Sequence, residues 1–437
     1  MKQVEKNKII EVEFTKIVPE GKSLGKWNGK VVFCYGILPN EVARVKILKE
    51  KKNYIEAELI EITESSPFRI REQEEHYLSC SPWQTFDYEF QIQLKKALLK
   101  EIYYQIARET IDIDKFIPSP LIYGYRTKME FSFSTDNKKI YLAFYKRGSK
   151  NEKYILEKGC ILASEFMNKI ALKILDYLNI EKYAINYLKG LTIRESKSFN
   201  ERIAVLFLMN KEKIPKIALD KIENLSGLIF VYSDPKSPAF VVSEIIKKEG
   251  QDFLKEKIGE LDIFYDFRCF FQNNIQLFNE CLKDIKENIN EVNKIIELYS
   301  GVGSIILNLN KFAKKIIGVE IEKNSVNYAK INAQINEIKN FDCLESPAEK
   351  LSIEFLKDTD ILVLDPPRSG LHKKVINIIL DNLPNLIVYL SCNPITQARD
   401  FLFLKDKYKI KKIIGYDFYP NTPHMESLLI LEKKNKI

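Results

Sequence analysis

The rhythm of apolar positions along this chain changes twice. Residues 9 to 62 hold four β-rich runs, Ile9 to Ile17, Lys30 to Phe33, Glu41 to Leu48 and Tyr54 to Ile62, with Gly21, Gly25, Asn28-Gly29 and Pro39-Asn40 supplying the turns. That pattern predicts a small all-β unit. After Ser65 the character shifts, and Cys80-Ser-Pro-Trp-Gln84 leads into an amphipathic, lysine-bearing helix expected over Tyr88 to Arg108. A second β-rich region starts at Gly124 and continues through Lys139 to Tyr145. Helix-like and strand-like runs then alternate as far as about residue 260 (Ser164 to Leu178, Leu191 to Glu195, Ile203 to Met209, Ile214 to Ile222, Leu228 to Tyr232). They predict an α+β domain of local hairpins and helices. From Ile263 the order becomes helix, strand, helix, strand. A helix opens at Phe271-Gln-Asn-Asn274 and runs to about Glu291, a strand covers Lys294 to Tyr299, and a short helix covers Ser304 to Asn310. The strand Ile316 to Glu320 and the helix Asn324 to Asn336 follow. Strands near Asp342 and over Ile361 to Leu364, Leu386 to Leu390, Ile410 to Asp417 and Ser427 to Leu431 complete the series. Strands alternating with helices predict an α/β fold with a parallel, doubly wound sheet.

At 437 residues and 45% hydrophobic content the chain can bury more than one core. It has no apolar run of about 18 residues, and the opening Met1-Lys-Gln-Val-Glu-Lys lacks the apolar stretch of a signal peptide. The expectation is a cytoplasmic protein with no membrane partner. Seven cysteines, at 34, 80, 160, 269, 281, 343 and 392, are scattered without a disulfide framework. The three histidines, His76, His372 and His424, form no recognisable metal spacing with them, so no metal site is expected.

Net charge is +8, which permits a polyanionic partner without requiring one. Its distribution adds something. Between Leu121 and Cys160 there are nine Lys or Arg against four Asp or Glu, interleaved with Tyr123, Tyr125, Phe131, Phe133, Tyr141, Phe144, Tyr145 and Tyr154. Such a stretch suits a sheet core and suits phosphate contact with base stacking equally.

Candidate chemistry gathers at strand ends in the last third. The strand ending at Leu390 delivers Cys392 just past its carboxyl end, and Pro394 opens the following helix. Glu297-Leu-Tyr-Ser-Gly-Val-Gly303 follows a strand and precedes a helix, and Glu320 ends the next strand, where a carboxylate can accept both hydroxyls of a ribose. The loop lacks the third glycine that lets a pyrophosphate pass, so S-adenosylmethionine, a nucleoside without a diphosphate, fits better than a dinucleotide. Asp365-Pro-Pro-Arg368 places a carboxylate at another strand end, with two prolines stiffening the loop. It is not the Asn-Pro-Pro-Tyr that marks methylation of base amino groups, which favours a carbon target. Taken singly, each feature also has a plain structural reading: a buried thiol, a tight turn, a strand-start acid at Glu426.

Two resemblances follow from these residues. Gly29-Lys-Val-Val-Phe-Cys-Tyr-Gly-Ile-Leu-Pro-Asn-Glu41 is similar to the TRAM domain, an OB-like barrel found on RNA-modifying enzymes. Phe271-Gln-Asn-Asn274, Glu297-Leu-Tyr-Ser-Gly-Val-Gly303, Gly318-Val-Glu320, Asn332-Ala, Asp365-Pro-Pro-Arg-Ser-Gly370, Ser391-Cys-Asn-Pro394, Ala398-Arg-Asp400 and Thr422-Pro-His-Met-Glu426 resemble, in order, the motifs of TRAM-containing RNA uracil-5-methyltransferases. The resemblance implies a TRAM barrel over residues 1–64, a central α+β RNA-binding domain over 65–262, and a Rossmann-like class I methyltransferase domain over 263–437. It implies that Gln272, Tyr299, Glu320 and Asp365 bind S-adenosylmethionine, that Cys392 is the nucleophile and that Glu426 is the base. The implied partner of this expected monomer is RNA, with 23S ribosomal RNA preferred and transfer RNA the alternative.

Departures from the family pattern are few. Ser300 replaces a usual Cys, and Asn421 stands where Gln is common. Iron-sulfur versions carry a C-x5-C-x2-C run ahead of the central domain and a fourth Cys within it. Here Cys80 and Cys160 keep two of those positions, while Glu74 and Trp83 occupy the others. No iron-sulfur cluster is expected, because two thiolates cannot supply four ligands, and Trp83 is expected to fill the vacated volume.

The implied chemistry agrees with the residue types. Carbon 5 of uracil becomes nucleophilic once a thiolate adds to carbon 6, and a base must later remove the carbon-5 proton so that the thiolate can leave. The target uridine must be flipped out or single-stranded. Rival readings are a 5-methylcytosine RNA methyltransferase, which usually has a second Cys beside the Asp-Pro-Pro strand, and a non-catalytic RNA-binding protein.

Overall fold

The computed structural model describes residues 7–149, 151–237 and 240–435. Five strands close the N-terminal barrel: Ile9–Ile17, Ser23–Trp27, Lys30–Cys34, Glu41–Glu50 and Tyr54–Glu64, with the last two exchanged in the spatial order. Ser23–Trp27 was not among the runs expected, because its five residues include only two large apolar side chains. Gly25 within it is required, since a Cβ there would lie 2.5 Å from the Glu13 carbonyl oxygen of the neighbouring strand. Phe14, Val32, Val45 and Ile55 fill the barrel. Buried Glu41 ties it to the chain that follows: its carboxylate accepts from the Leu38 and Ser66 amides and, at 2.6 Å on each oxygen, from the Arg69 guanidinium.

The central region is a seven-stranded sheet in the order Glu244–Gly250, Gly227–Tyr232, Arg202–Leu208, Leu188–Glu195, Lys128–Thr135, Ile140–Tyr145, Lys153–Ile155. The helix Glu165–Ile180, capped by Ser164, covers one face with Met167, Ile170, Ile174 and Leu178. In Arg202–Leu208 the alternation divides cleanly: Ala204, Leu206 and Leu208 meet that helix's core, while Ile203, Val205 and Phe207 join the core of the C-terminal sheet. The two regions therefore share an apolar interface. Tyr125, Phe131 and Phe133 of the basic, aromatic stretch are core residues, whereas Tyr145 is half-exposed, with the Lys153 ammonium 4.4 Å from its ring centre.

The C-terminal sheet has eight strands in the order Phe341–Glu345, Ala313–Glu320, Val292–Leu298, Ile361–Leu364, Leu386–Ser391, Glu426–Lys433, Tyr408–Tyr416, Lys115–Ile117. It differs from an all-parallel sheet at one place, because Glu426–Lys433 pairs antiparallel with both neighbours. The connection 417–425 carries no crossover helix, so the chain can only fold back beside the strand it has left. Lys115–Ile117 adds an edge strand from the N-terminal side. Both faces are covered, which is why these strands read as continuous apolar runs. One face packs on the helix Ile275–Glu287, the other on Lys373–Asn382, Pro394–Leu404 and Tyr88–Ile102.

Candidate active site

The C-terminal ends of Val292–Leu298, Ala313–Glu320, Ile361–Leu364 and Leu386–Ser391 open on one edge of the sheet. After Leu298 the chain turns sharply, with Tyr299 at φ 66°, a left-handed conformation that costs a tyrosine energy and is held by its surroundings. The Ser300 amide donates to the Val319 carbonyl (3.0 Å) and the Gly301 amide to Glu320 Oε2 (2.9 Å). Gly318 makes room for this turn, since a Cβ there would sit 2.8 Å from Ser300 Oγ. Glu320 Oε1 accepts from the Ile321 and Glu322 amides, both at 2.8 Å. The carboxylate is thus fixed in direction, with lone pairs left for a diol. Glu297 is buried and accepts from the Ile306 amide (2.9 Å); burial and the nearby Asp365 carboxyl push its own carboxyl well above the usual range.

Gln272, Tyr299 and Asp365 line the same cleft beside Gly301. Gln272 is held through its backbone carbonyl, which accepts from Thr127 Oγ1 (2.9 Å), while its buried side-chain Oε1 has no partner among the described residues. An orphaned buried acceptor facing a cleft is the mark expected where a ligand donor completes the site. Burial pushes the Asp365 carboxyl up to about 7. These residues fit S-adenosylmethionine: Glu320 keeps lone pairs that can accept from a diol, Asp365 offers a carboxyl to the cleft, and the Gln272 amide oxygen is unpaired among the described residues.

Cys392 lies one residue beyond Leu386–Ser391, ahead of the helix Pro394–Leu404, which Asn393 caps by accepting from the Ile395 amide. Asn393 Nδ2 and Thr396 Oγ1 both donate to the Arg368 carbonyl (2.9 and 3.2 Å), binding the Asp-Pro-Pro-Arg loop to the thiol's loop. Asp400 tightens the same junction by accepting from the Leu371 amide and Tyr389 Oη, each at 2.8 Å. Burial, then the Glu426 and Asp365 carboxyls, push the Cys392 thiol up to about 12, while the Arg368 guanidinium pulls the other way. Glu426 opens the antiparallel strand, 3% exposed, with Tyr419 Oη donating to it at 3.5 Å. Burial, and Asp365 after it, raise its carboxyl well above the usual range. Thiol, two carboxyls and one guanidinium therefore share one field.

The loop that delivers Glu426 is anchored from the N-terminal side, which sequence reasoning missed. Lys95 donates to Asp417 and to the Tyr419 carbonyl, Gln91 and Asn421 exchange two hydrogen bonds (2.9 and 3.0 Å), and the Trp83 amide donates to the Asn421 carbonyl (3.0 Å). Asn421 sits at φ 63°, a conformation asparagine tolerates better than most residues. Barrel residue Gly21 meets Pro423 so closely that a Cβ would lie 2.3 Å from it.

The sequence shows no metal-spaced His/Cys group, yet Glu74, His76, Cys80 and Cys160 place a ligand atom each within 4.8 Å of one another. Cys160 is 80 residues from Cys80 along the chain, so only His76-x3-Cys80 could have signalled it. Trp83 does not fill this volume: it stacks on Phe86 in the core shared with the C-terminal sheet, while Cys160 belongs to the central core. A four-iron cluster needs four thiolates set around a cube. Two thiols, an imidazole and a carboxylate converging on one point do not fit it.

A doubly wound sheet with a carboxylate at the end of its second strand and a thiol one residue past another strand end has the layout of a class I nucleoside-dependent transferase. The chain matches the family described as tRNA (Uracil-5-)-methyltransferase over residues 87–434 and the TRAM domain over residues 3–60. An uncharacterized RNA methyltransferase of Caldanaerobacter subterraneus is 30% identical, covering 98% of this chain and 99% of that one. One from Nanoarchaeum equitans is 33% identical, covering 96% and 93%. The solved Pyrococcus abyssi tRNA (uracil-54, C5)-methyltransferase, in complex with S-adenosyl-L-homocysteine, has the same fold: TM-score 0.78, 23% identity, 97% of this chain and 100% of that one covered. The chain belongs to the tRNA (uracil-5-)-methyltransferase family, and it is an S-adenosylmethionine-dependent RNA uracil-5-methyltransferase with an N-terminal TRAM barrel. The cytosine-specific and non-catalytic readings give way to that membership. No helix among the described residues is long and apolar enough to cross a membrane.

Proposed function

We propose that Cys392 attacks carbon 6 of a flipped uridine, that Glu426 removes the carbon-5 proton after methylation, and that Gln272, Tyr299, Glu320 and Asp365 hold the cofactor. The observation that carries this reading is the shared field of Cys392, Glu426, Asp365 and Arg368 at the cofactor cleft. Arg368 favours the thiolate, which the two carboxyls oppose. S-adenosylmethionine supplies an electrophilic methyl group on a cationic sulfur. A carboxyl with a raised pKa is a stronger base once ionised than an exposed one, which suits removal of a proton from carbon. Loss of that proton regenerates the enolate, the carbon 6–sulfur bond breaks, and the thiolate is returned.

The ribosomal substrate expected from the sequence is less well supported than transfer RNA. The matching family is described by its transfer RNA activity, and the solved structure covering nearly the whole chain is a tRNA uracil-54 enzyme. Transfer RNA is accordingly the proposed substrate. Mapping 5-methyluridine in transfer and 23S RNA from cells with and without the protein tests this choice. Loss of the mark from transfer RNA alone is expected, and loss from 23S RNA alone would reverse it. In single-turnover assays Cys392→Ala is expected to abolish methyl transfer while cofactor binding persists; retained turnover would remove Cys392 from its role.

A further inference from the structure

We propose that Glu74, His76, Cys80 and Cys160 form a structural site for one divalent transition-metal ion, with zinc the cation that suits them. The donors are two thiols, one imidazole and one carboxylate, and their ligand atoms lie within 4.8 Å of one another. Tetrahedral zinc has bonds of about 2.3 Å to sulfur and about 2.0 Å to nitrogen or oxygen, which puts neighbouring donor atoms roughly 3.5–3.8 Å apart. Here Cys80 Sγ is 3.4 Å from His76 Nδ1 and 3.9 Å from Glu74 Oε2, and Cys160 Sγ is 3.8 Å from the same Oε2. The spacing already suits one ion at the centre.

The atoms that do not point inward are held from outside, as the outer contacts of a metal site usually are. His76 Nε2 lies 3.2 Å from the Gly159 carbonyl oxygen, which fixes the proton there and leaves Nδ1 free to ligate. Glu74 Oε1 accepts from the Ile161 amide at 2.6 Å, leaving Oε2 toward the thiols. Gly159 and Ile161 flank Cys160, so the segment that carries one ligand also orients two others. Cys160 and His76 are 1% and 7% exposed, and Glu74 and Cys80 are partly buried, so the site lies largely within the protein. His76 and Cys80 stand at either end of the turn Tyr77–Cys80, four residues apart and hence on one face. A soft, mixed set of four sulfur, nitrogen and oxygen donors selects zinc over magnesium or calcium, which prefer all-oxygen shells.

Such an ion would clip the segment between barrel and helix Tyr88–Ile102 to the central domain. That segment continues into Trp83, Gln91 and Lys95, which anchor the loop bearing Glu426. Binding involves no redox change: the two thiols lose their protons to solvent as the ion enters.

The test uses the full-length protein, purified under reducing conditions without chelator or histidine tag. Metal analysis is expected to find about one zinc per chain. After removal with a chelator, titration with cobalt(II) should give the visible bands of a tetrahedral site and a thiolate-to-cobalt charge-transfer band, saturating at one equivalent. Cys80→Ser and Cys160→Ser should each lose these signals and the bound zinc, and Cys343→Ser, at an unrelated thiol, should keep both. Three results would overturn the proposal. They are a wild-type protein that retains no zinc after loading and desalting, variants that retain as much as the parent, or a Cys80–Cys160 disulfide in the reduced preparation. The cobalt titration on wild-type protein decides the matter even if the serine variants fail to fold.

Discussion

Replacing Lys95 by methionine removes a cation buried against the base-carrying loop. Lys95 and Asp417 both have 0% side-chain exposure, and Lys95 also donates to the Tyr419 carbonyl (3.2 Å) and sits 5.6 Å over the Trp83 ring. Among the described residues Asp417 Oδ2 accepts no hydrogen bond, and the neighbouring Tyr88 phenol carries no charge, so without the ammonium the buried carboxylate has lost its cation. Breaking one side of such a pair costs about 3–5 kcal/mol, a large share of a typical total of about 5–15 kcal/mol. Asp417→Asn should cost less, about 1–3 kcal/mol, because burial already lowers the Lys95 pKa and the amine can shed its proton. The double variant Lys95→Met/Asp417→Asn should recover about 2 kcal/mol relative to the sum of the singles. Urea unfolding followed by Trp83 fluorescence, in a Trp27→Phe background, measures all three. Because the pair positions the loop before Glu426, Lys95→Met should also lower kcat with little change in the KM for S-adenosylmethionine. A Lys95→Met protein within about 1 kcal/mol of its parent, with no recovery in the double variant, would refute the reasoning.

Arg368→Gln removes the cation that favours the Cys392 thiolate, and losing a charged hydrogen-bonding partner worth about 1.5–3 kcal/mol should slow adduct formation roughly 10- to 100-fold. Single-turnover rates check this, and unchanged rates contradict it. Asp365 is held up to about 7, so its carboxylate predominates only above that pH. Calorimetry should show S-adenosylmethionine, with its sulfonium cation, binding tighter as pH rises from about 6 to 8, S-adenosylhomocysteine, which lacks that charge, responding much less, and Asp365→Asn abolishing the trend. For the unliganded protein the sign is opposite. The fold keeps this proton to about pH 7 whereas the unfolded chain loses it near pH 4, so stability falls over that interval, and melting curves should show Asp365→Asn gaining on the parent as pH rises.

Much of the layout of the candidate cleft was legible because its requirements are local. A strand, the turn at Tyr299 to Gly303, and Glu320 at the next strand end must follow in close order, and the burial of both sheet faces writes each strand as an apolar run. Cys392 was legible for the same reason, as a thiol at a strand end before a helix-opening proline. What escaped was built from distant partners. Nothing around Lys95 marks it as the counter-ion of Asp417, 322 residues away. Cys160 joins Glu74, His76 and Cys80 only through the packing of the central sheet against the segment before it. The antiparallel strand Glu426–Lys433 was hidden too, because an apolar run declares burial and not direction.

The central claim, that methylation passes through a covalent adduct on Cys392 resolved by Glu426, is tested most directly by trapping the adduct. Glu426→Gln protein, incubated with S-adenosylmethionine and unmodified transfer RNA, is predicted to add and methylate but to stall before elimination. A band of raised mass, containing RNA and label from the methyl group, should then accumulate on a denaturing gel. Without the cofactor, or with Cys392→Ala added, the band should be absent. Wild-type turnover by Glu426→Gln with no adduct at any time would contradict the account.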